Sequence, residues 1–413
     1  MNATTEIREP QSAAVLRPQF PVLDAMRAVG ALLVVLTHVG FWAGAYANHG
    51  YFGVLLARAD VGVAIFFVLS GFLLSRPWLS SAALDRRPPG LGRYAWKRAL
   101  RIFPIYLVTV VIALSLLHDN ADLGWRDWLK TFAMLNIYLD PHLPAGLTQM
   151  WSLATELAFY VVLPLLMWLA TSPRLTRGPQ QLRPHRVALL LLVMVGITVS
   201  WHLSWSAMVP SASTRPVNEW LPATLDWFAA GVALALLFET VRFRGPHGRV
   251  SRPILTLARH PGVCWMLATG LVLVAATPLA GPTMLAAPSA TQALTKNLLY
   301  MVIATLVILP GVFAQPGTTY TKVFSQRHLR RLGLISYGIF CLHLPILHFV
   351  MWSTGFELFR GNFWPILGLT VVLSVVAAEV AYRLIEEPFM RLRALGRSTK
   401  DPASTQPSAT NAT

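Results

Sequence analysis

The feature that most constrains this chain is a series of long apolar segments that recur along most of its 413 residues. A membrane-spanning helix needs about 20 consecutive, predominantly apolar residues, and ten segments are of roughly that kind. They cover residues 26–46, 61–79, 103–117, 154–171, 187–208, 224–241, 262–280, 293–313, 333–353 and 363–385. The pattern predicts an all-α polytopic membrane protein with about ten transmembrane helices.

The composition agrees with a membrane protein and excludes other classes. Hydrophobic residues make up 55% of the chain and charged residues only 13%, whereas soluble domains carry about 25% charged residues. An ordinary soluble enzyme, a coiled coil and a disordered chain are therefore excluded. The two cysteines, Cys264 and Cys341, lie in apolar runs without a CxxC or Cys/His cluster, so neither a metal site nor a disulfide is predicted.

Positive charge is concentrated in alternate loops. The formal net charge is +16, which in a soluble protein would suggest a nucleic-acid partner. Membrane proteins, however, concentrate Lys and Arg in cytoplasmic loops, and the basic segments here are 76–101, 174–186, 242–259 and 322–331. We therefore predict a multi-pass protein of the plasma or inner membrane, with both termini cytoplasmic and no nucleic-acid partner.

The predicted domain organisation is simple. Residues 1–20 are polar and lack a signal peptide, so they are predicted to be a disordered cytoplasmic N-terminus. Residues 21–390 form the membrane domain, and the Ser/Thr/Ala/Pro-rich residues 391–413 are predicted to be a disordered cytoplasmic tail. The amphipathic segment 125–139 is too short to span a bilayer and is predicted to form one helix that lies at the interface.

The first predicted span carries two ionisable residues, Arg27 and His38. Eleven positions separate them, so on a helix they lie about 20° apart around the axis and about 16 Å apart along it. They should face the same cleft at two depths, with His38 toward the outer half of the bilayer. An imidazole can act as a general base near neutral pH, and a guanidinium suits phosphate or carboxylate. The alternative is a structural role, in which His38 forms a hydrogen bond between helices and Arg27 extends its side chain to the membrane surface. The spacing of the pair alone does not decide between a catalytic and a structural role.

A second group of candidates lies in the segment WSLATELAFY. Ser152, Glu156 and Tyr160 are spaced i, i+4 and i+8, so they share one face of a helix. A carboxylate buried there needs a cation or a raised pKa, and Glu156 could orient His38 if the two helices touch. The alternative is a Glu156 solvated near the outer surface.

A third group lies in RYAWKRALRIFPIY, before the third predicted span. Arg98 and Arg101 are three positions apart at the cytoplasmic end and could clamp the phosphates of a cytoplasmic cofactor. Plain anchoring by positive residues is an equally good explanation of the spacing alone.

Other polar or small residues in the spans are interpreted as packing residues, because small residues allow close helix contacts. This set comprises Asp60, Gly62, Ser70, Gly71, Asp226, Trp227, Ser336, Tyr337 and His343. Glu386 and Glu387, at the end of the last span, are predicted to form structural ion pairs with nearby arginines.

Several of these segments, in this order, resemble the acyltransferase 3 family of membrane-bound acyltransferases, which includes O-antigen, peptidoglycan and macrolide O-acyltransferases. The resemblance covers about residues 20–390. It rests on the Arg-x10-His spacing of Arg27 and His38, on Arg-x-x-Arg at Arg98 and Arg101, and on DVGVAIFFVLSGFLLS, WSLATELAFYVVLPLL, ISYGIFCLHLP and YRLIEEPF. The segment PAGLTQMWSLATELAFY resembles actinobacterial members. The family often has Ser-Val-Glu-Glu where this chain has Ala-Thr-Glu-Leu, so Glu156 is the only carboxylate left of that pair.

The resemblance implies an enzyme that moves an acyl group, usually acetyl, from cytoplasmic acyl-CoA to a hydroxyl of a glycan, a lipid or a macrolide-type acceptor. It implies no permanently bound cofactor. The implied roles are catalysis for His38 with support from Glu156, CoA binding for Arg27, Arg98 and Arg101, and substrate contacts for Ser152 and Tyr160. Direct transfer with His38 as base and a covalent acyl-histidine route both remain open. Many relatives carry a fused hydrolase-like domain that this sequence does not show, which favours a lipid-linked or amphipathic acceptor bound by the membrane domain.

A transporter or flippase of lipid-linked sugars is the alternative from a different functional class. It would also need about ten spans and charges within the membrane. The sequence shows neither an internal repeat nor interrupted spans in matching halves, which many transporters have. We therefore favour the enzyme.

Overall fold

The computed structural model describes residues 20–140, 142–172, 182–208, 217–246, 248–283 and 286–392. Within these ranges the chain forms helices and connecting loops, and no strand. The prediction of an all-α protein is therefore confirmed for the described part of the chain. Of the two segments predicted to be disordered, residues 1–19 and 393–413 lie outside the described residues.

The helices follow one another along the chain and differ greatly in length. In chain order they are α1 (Pro21–Trp42), α2 (Ala45–Asn48), α3 (Gly50–Ala57), α4 (Val61–Ala83), α5 (Leu91–Leu116), α6 (Trp125–Phe132), α7 (Asn136–Leu139), α8 (Met150–Thr171), α9 (Pro184–Met208), α10 (Leu221–Arg244), α11 (Ser251–Ala258), α12 (Pro261–Ala275), α13 (Ala290–Val312), α14 (Thr319–Phe324), α15 (Arg327–Thr354), α16 (Phe363–Ala381) and α17 (Glu387–Arg391). A π-helical turn, Tyr382–Glu386, joins α16 to α17.

Nine helical segments of the described chain are long and apolar enough to cross a membrane. The bent pair α11 and α12 raises the number to ten if the pair counts as one span, and its two helices meet at 94°. With 15 residues, α12 alone rises about 22 Å, which is shorter than the ~30 Å hydrocarbon core of a bilayer. The prediction of about ten spans is confirmed. The predicted seventh span, 262–280, largely coincides with α12, and the bend lies just before it, between Ala258 and Pro261.

Two predicted boundaries were wrong. The basic segment 76–101 is not a loop, because α4 continues to Ala83 and α5 begins at Leu91. Lys and Arg are good helix formers, and the extended backbone of Gly90, after two prolines, sets the start of α5. The segment 125–139 is not one helix but two, α6 and α7, because Met134 adopts a φ of 56° between them.

Close helix contacts hold the bundle together at glycines. A Cβ on Gly71 of α4 would overlap the carbonyl oxygen of Phe228 in α10, and one on Gly231 of α10 would overlap that of Val68. Gly333 of α15 lies equally close to the backbone of α1. These contacts agree with the expected packing role of Gly71, since backbones approach closely only where side chains are absent.

A stack of three aromatic rings fixes α4, α8 and α10 relative to one another. The rings of Phe159 and Phe228 stack at 3.9 Å between centroids, and those of Phe67 and Phe228 at 4.4 Å. Aromatic pairs contribute about 0.5–1.5 kcal/mol beyond the area that they bury. Phe67 also lines a narrow cavity between the helices, so the stack supports one wall of that cavity.

Candidate active site

Five helices surround a narrow cavity of about 60 Å³, which we call the central cavity. Five of the seven candidate residues from the sequence lie in its wall, and His38 and Arg98 do not. Its polar lining consists of Arg27 of α1, Ser70 of α4, Arg101 of α5, Ser152, Glu156 and Tyr160 of α8, and Ser336 and Tyr337 of α15.

The carboxylate of Glu156 is held in place by two hydroxyl groups. Ser70 and Tyr160 both donate to its Oε1 atom, and the Tyr160 oxygen lies 2.7 Å away. Hydrogen bonds from hydroxyls to a carboxylate are among the stronger ones in proteins. The shared face predicted for Ser152, Glu156 and Tyr160 is present, because all three line the central cavity.

The three arginines of the site differ from other charged residues of the bundle in their ion pairing. Among the described residues, Arg27, Arg98 and Arg101 take part in no ion pair, whereas Lys296 pairs with Asp60 at 2.6 Å and Arg331 with Glu379 at 2.7 Å. The guanidinium carbon of Arg98 instead lies 5.9 Å from the ring centroid of Tyr160, and its buried Nε atom has no hydrogen-bond partner. Three guanidinium groups thus remain available to an anionic ligand.

Arg98 lies in the wall of a second, wider cavity of about 420 Å³, which we call the basic cavity. Leu73 lines both cavities, so the two are neighbours. The cationic lining of the basic cavity consists of Arg76, Arg86, Arg93, Lys97, Arg98 and Arg242. A buried carboxylate, Glu239, pairs with Arg76 and Arg242. The predicted clamp of Arg98 and Arg101 is therefore divided: Arg98 faces the basic cavity and Arg101 the central one.

His38 lies beside the central cavity and is in contact with a second histidine. Its Nδ1 atom is 2.8 Å from the carbonyl oxygen of Val34 and 3.2 Å from Nε2 of His343. Phe340 packs against His343 at 6.2 Å between ring centroids and also lines the central cavity. Among the described residues, the ionisable side chain in contact with His38 is therefore His343. Glu156 is bonded by the hydroxyls of Ser70 and Tyr160 instead of by His38.

Four residues at the site were interpreted from the sequence as packing residues only, namely Ser70, Ser336, Tyr337 and His343. Ser70 donates to Glu156, and His343 contacts His38. Ser336 and His343 are seven positions apart and therefore share one face of their helix, but the sequence does not show which helix that face meets. Of the other residues interpreted as packing residues, Trp227 donates to the backbone of Asn297, and Tyr337 donates to the carbonyl oxygen of Ile102. Asp60, by contrast, forms an ion pair with Lys296 rather than serving only as a packing residue. Glu387 forms the expected ion pair, with Arg391 at 3.0 Å.

These features define a class of protein: a polytopic helical membrane protein with two neighbouring cavities lined by arginines, a carboxylate bonded by two hydroxyls and an adjacent pair of histidines. The family model described as an acyltransferase domain matches residues 20–383. The chain therefore belongs to the acyltransferase 3 family.

Several named proteins are similar to this chain over most of its length. Peptidoglycan O-acetyltransferase OatA of Listeria monocytogenes is 25% identical over 391 residues, covering 91% of this chain and 56% of the relative. Acyltransferase MdmB of Streptomyces mycarofaciens is 27% identical over 412 residues, covering 94% and 95%. Nodulation protein 10 of Rhizobium leguminosarum is 24% identical over 400 residues, covering 90% and 93%. The chain thus spans about half the length of OatA and nearly all of the other two. No solved structure matches the chain.

Proposed function

We propose that the chain is a membrane O-acyltransferase that moves an acyl group, in the first place acetyl, from acyl-CoA to a hydroxyl of an acceptor. The observation that carries the proposal is the series Arg98, Arg101 and Arg27, which runs from the basic cavity into the central cavity without a carboxylate partner among the described residues. A charge inside a membrane domain is costly and therefore indicates function. CoA has its phosphates at one end and its thioester at the other, which fits a wide basic entrance and a narrow interior.

In this proposal His38 is the general base. It takes the proton of the acceptor hydroxyl, the acceptor oxygen attacks the thioester carbonyl carbon, and the bond between that carbon and sulfur breaks. The proton then passes from His38 to the CoA sulfur, so that an ester and free CoA leave. Glu156 supports the reaction from the cavity wall that it shares with Arg27 and Arg101, and the hydroxyls of Ser152 and Tyr160 contact the substrate. A covalent acyl-His38 would give the same products in two steps.

We further propose that the face carrying the basic cavity is cytoplasmic, in the plasma or inner membrane, with both termini on that side. The acceptor would be a hydroxyl of a cell-envelope glycan, of a glycolipid or related lipid, or of a macrolide-type metabolite. The similarity to a peptidoglycan O-acetyltransferase and to acyltransferase MdmB supports this range. The concentration of Lys and Arg in alternate segments between the spans supports the orientation.

The test uses the purified chain in lipid nanodiscs with acetyl-CoA and a total extract of envelope lipids and glycans. We expect wild-type protein to bind acetyl-CoA and to release free CoA thiol in the presence of the extract. His38→Ala should keep the binding and lose the release, whereas the exposed His328→Ala should keep both. Absence of acetyl-CoA binding by wild-type protein would contradict the proposal and favour a transporter, and full release by His38→Ala would remove His38 as the catalytic residue.

A further inference from the structure

The contact between His38 and His343 determines which nitrogen of each ring carries a proton. The Nδ1 atom of His343 lies 2.7 Å from the carbonyl oxygen of Phe340 and 3.2 Å from that of Ile339. A carbonyl oxygen only accepts hydrogen bonds, so this Nδ1 carries the proton. In the neutral ring the Nε2 atom of His343 is then an acceptor.

The same reasoning applies to His38. Its Nδ1 atom faces the carbonyl oxygen of Val34 at 2.8 Å and Nε2 of His343 at 3.2 Å. Both partners are acceptors, so Nδ1 of His38 carries the proton and shares it between them. Its Nε2 atom is left with the free lone pair that a base needs.

We propose that His343 is a positioning residue that keeps His38 in the tautomer with a basic Nε2 and stabilises it when it becomes charged; this rests on the proposed catalytic role of His38. When Nε2 of His38 takes the acceptor proton, Nδ1–H becomes part of an imidazolium and its bond to His343 strengthens. The proton leaves Nε2 again for the CoA sulfur, and His343 is neutral throughout. An aspartate has the corresponding task in Ser-His-Asp hydrolases.

The position of His343 suits this task because its ring is held in one orientation and is shielded from solvent. Its side chain is fully buried, at 0% exposure, and its ring is held by two backbone carbonyls of its own helix. The glycine contact at Gly333 brings α15 against α1, which carries His38. A neutral acceptor also avoids the desolvation cost that a carboxylate would have at this depth.

The test compares two substitutions of the same residue. Gln keeps a terminal acceptor oxygen near the position of Nε2, whereas Leu fills similar space without one. We expect His343→Leu to lower kcat roughly 10- to 100-fold while KM for acetyl-CoA stays within about twofold, and His343→Gln to recover most of kcat. The matched control is His348→Leu on the same helix, which should behave like wild type.

A second measurement does not depend on catalysis. Nitrogen chemical shifts of isotope-labelled histidine distinguish the two neutral tautomers, and the His38 signals are those missing from His38→Gln. We expect a protonated Nδ1 and a bare Nε2 at His38 in wild type, and a mixture of tautomers in His343→Leu. A protonated Nε2 in wild type, unchanged His38 signals in His343→Leu, or a kcat for His343→Gln as low as that for His343→Leu would overturn the proposal. If wild-type protein transfers no acyl group, the proposed function fails, and the tautomer is still decided by the spectrum.

Discussion

Replacement of Arg98 by Gln tests whether the basic cavity holds the phosphate end of acyl-CoA. Arg98 lines this cavity, its Nε atom is buried without a partner, and its guanidinium lies over Tyr160. Gln can still form hydrogen bonds but lacks the charge. A hydrogen bond between charged groups contributes about 1.5–3 kcal/mol, and 1.4 kcal/mol is a factor of ten. We therefore expect KM for acetyl-CoA to rise roughly 10- to 100-fold, with kcat little changed.

The assay separates this effect from a general disturbance by using two donors, acetyl-CoA and acetyl-pantetheine, which lacks every phosphate. Thiol release is measured for wild type and Arg98→Gln with each donor. We expect the substitution to raise KM for acetyl-CoA but not for acetyl-pantetheine. A double-mutant-type cycle over the two proteins and the two donors should then give a coupling free energy between Arg98 and the phosphates of about 1.5–3 kcal/mol. Arg391→Gln, at an exposed surface ion pair, is the control and should leave both donors unaffected. An equal loss with both donors would refute the reasoning, because Arg98 would then act without the phosphates.

Three further predictions concern the central cavity and the helix contacts. Glu156→Gln keeps an oxygen that can accept from Ser70 and Tyr160 but replaces the carboxylate by an amide, so we expect a roughly tenfold loss of kcat with an unchanged unfolding temperature. Full activity in this variant would show that the carboxylate is dispensable. Ser70→Ala removes one of the two donors and should cost only about 1 kcal/mol in activation free energy, measured as kcat under the same conditions. Gly231→Ala should destabilise the protein by about 1–3 kcal/mol, because the added Cβ has no room. Gly196→Ala, whose Cβ would lie in open space, should stabilise the helix by up to ~1 kcal/mol. Thermal unfolding in detergent measures both, and shifts of the unfolding temperature in the same direction would contradict the prediction.

The sequence predicted those features of the site that depend on a single helix. The shared face of Ser152, Glu156 and Tyr160 follows from helix periodicity alone, and all three residues line one cavity. The helical spans were predictable for the same reason, because about 20 apolar residues in a row leave few other folds.

Features that depend on two helices were not predictable. Periodicity placed Arg27 and His38 on one face, but it could not show that Arg27 lines the central cavity while His38 lies beside it against His343. The hydrogen bond from Ser70 to Glu156 was unpredictable for the same reason, since it joins two helices through residues 86 positions apart. The boundary of α5 was missed for a different reason: charge marks the membrane surface, but Lys and Arg do not end a helix.

The central claim is that an acyl group passes from CoA to a hydroxyl through His38. The most direct measurement is mass spectrometry of envelope glycans, lipids and secreted metabolites from a deletion strain that carries either the wild-type or the His38→Ala gene. We predict a species heavier by one acyl group with the wild-type gene and its absence with His38→Ala, at equal protein abundance in the membrane. The same acylated species in both strains would contradict the account.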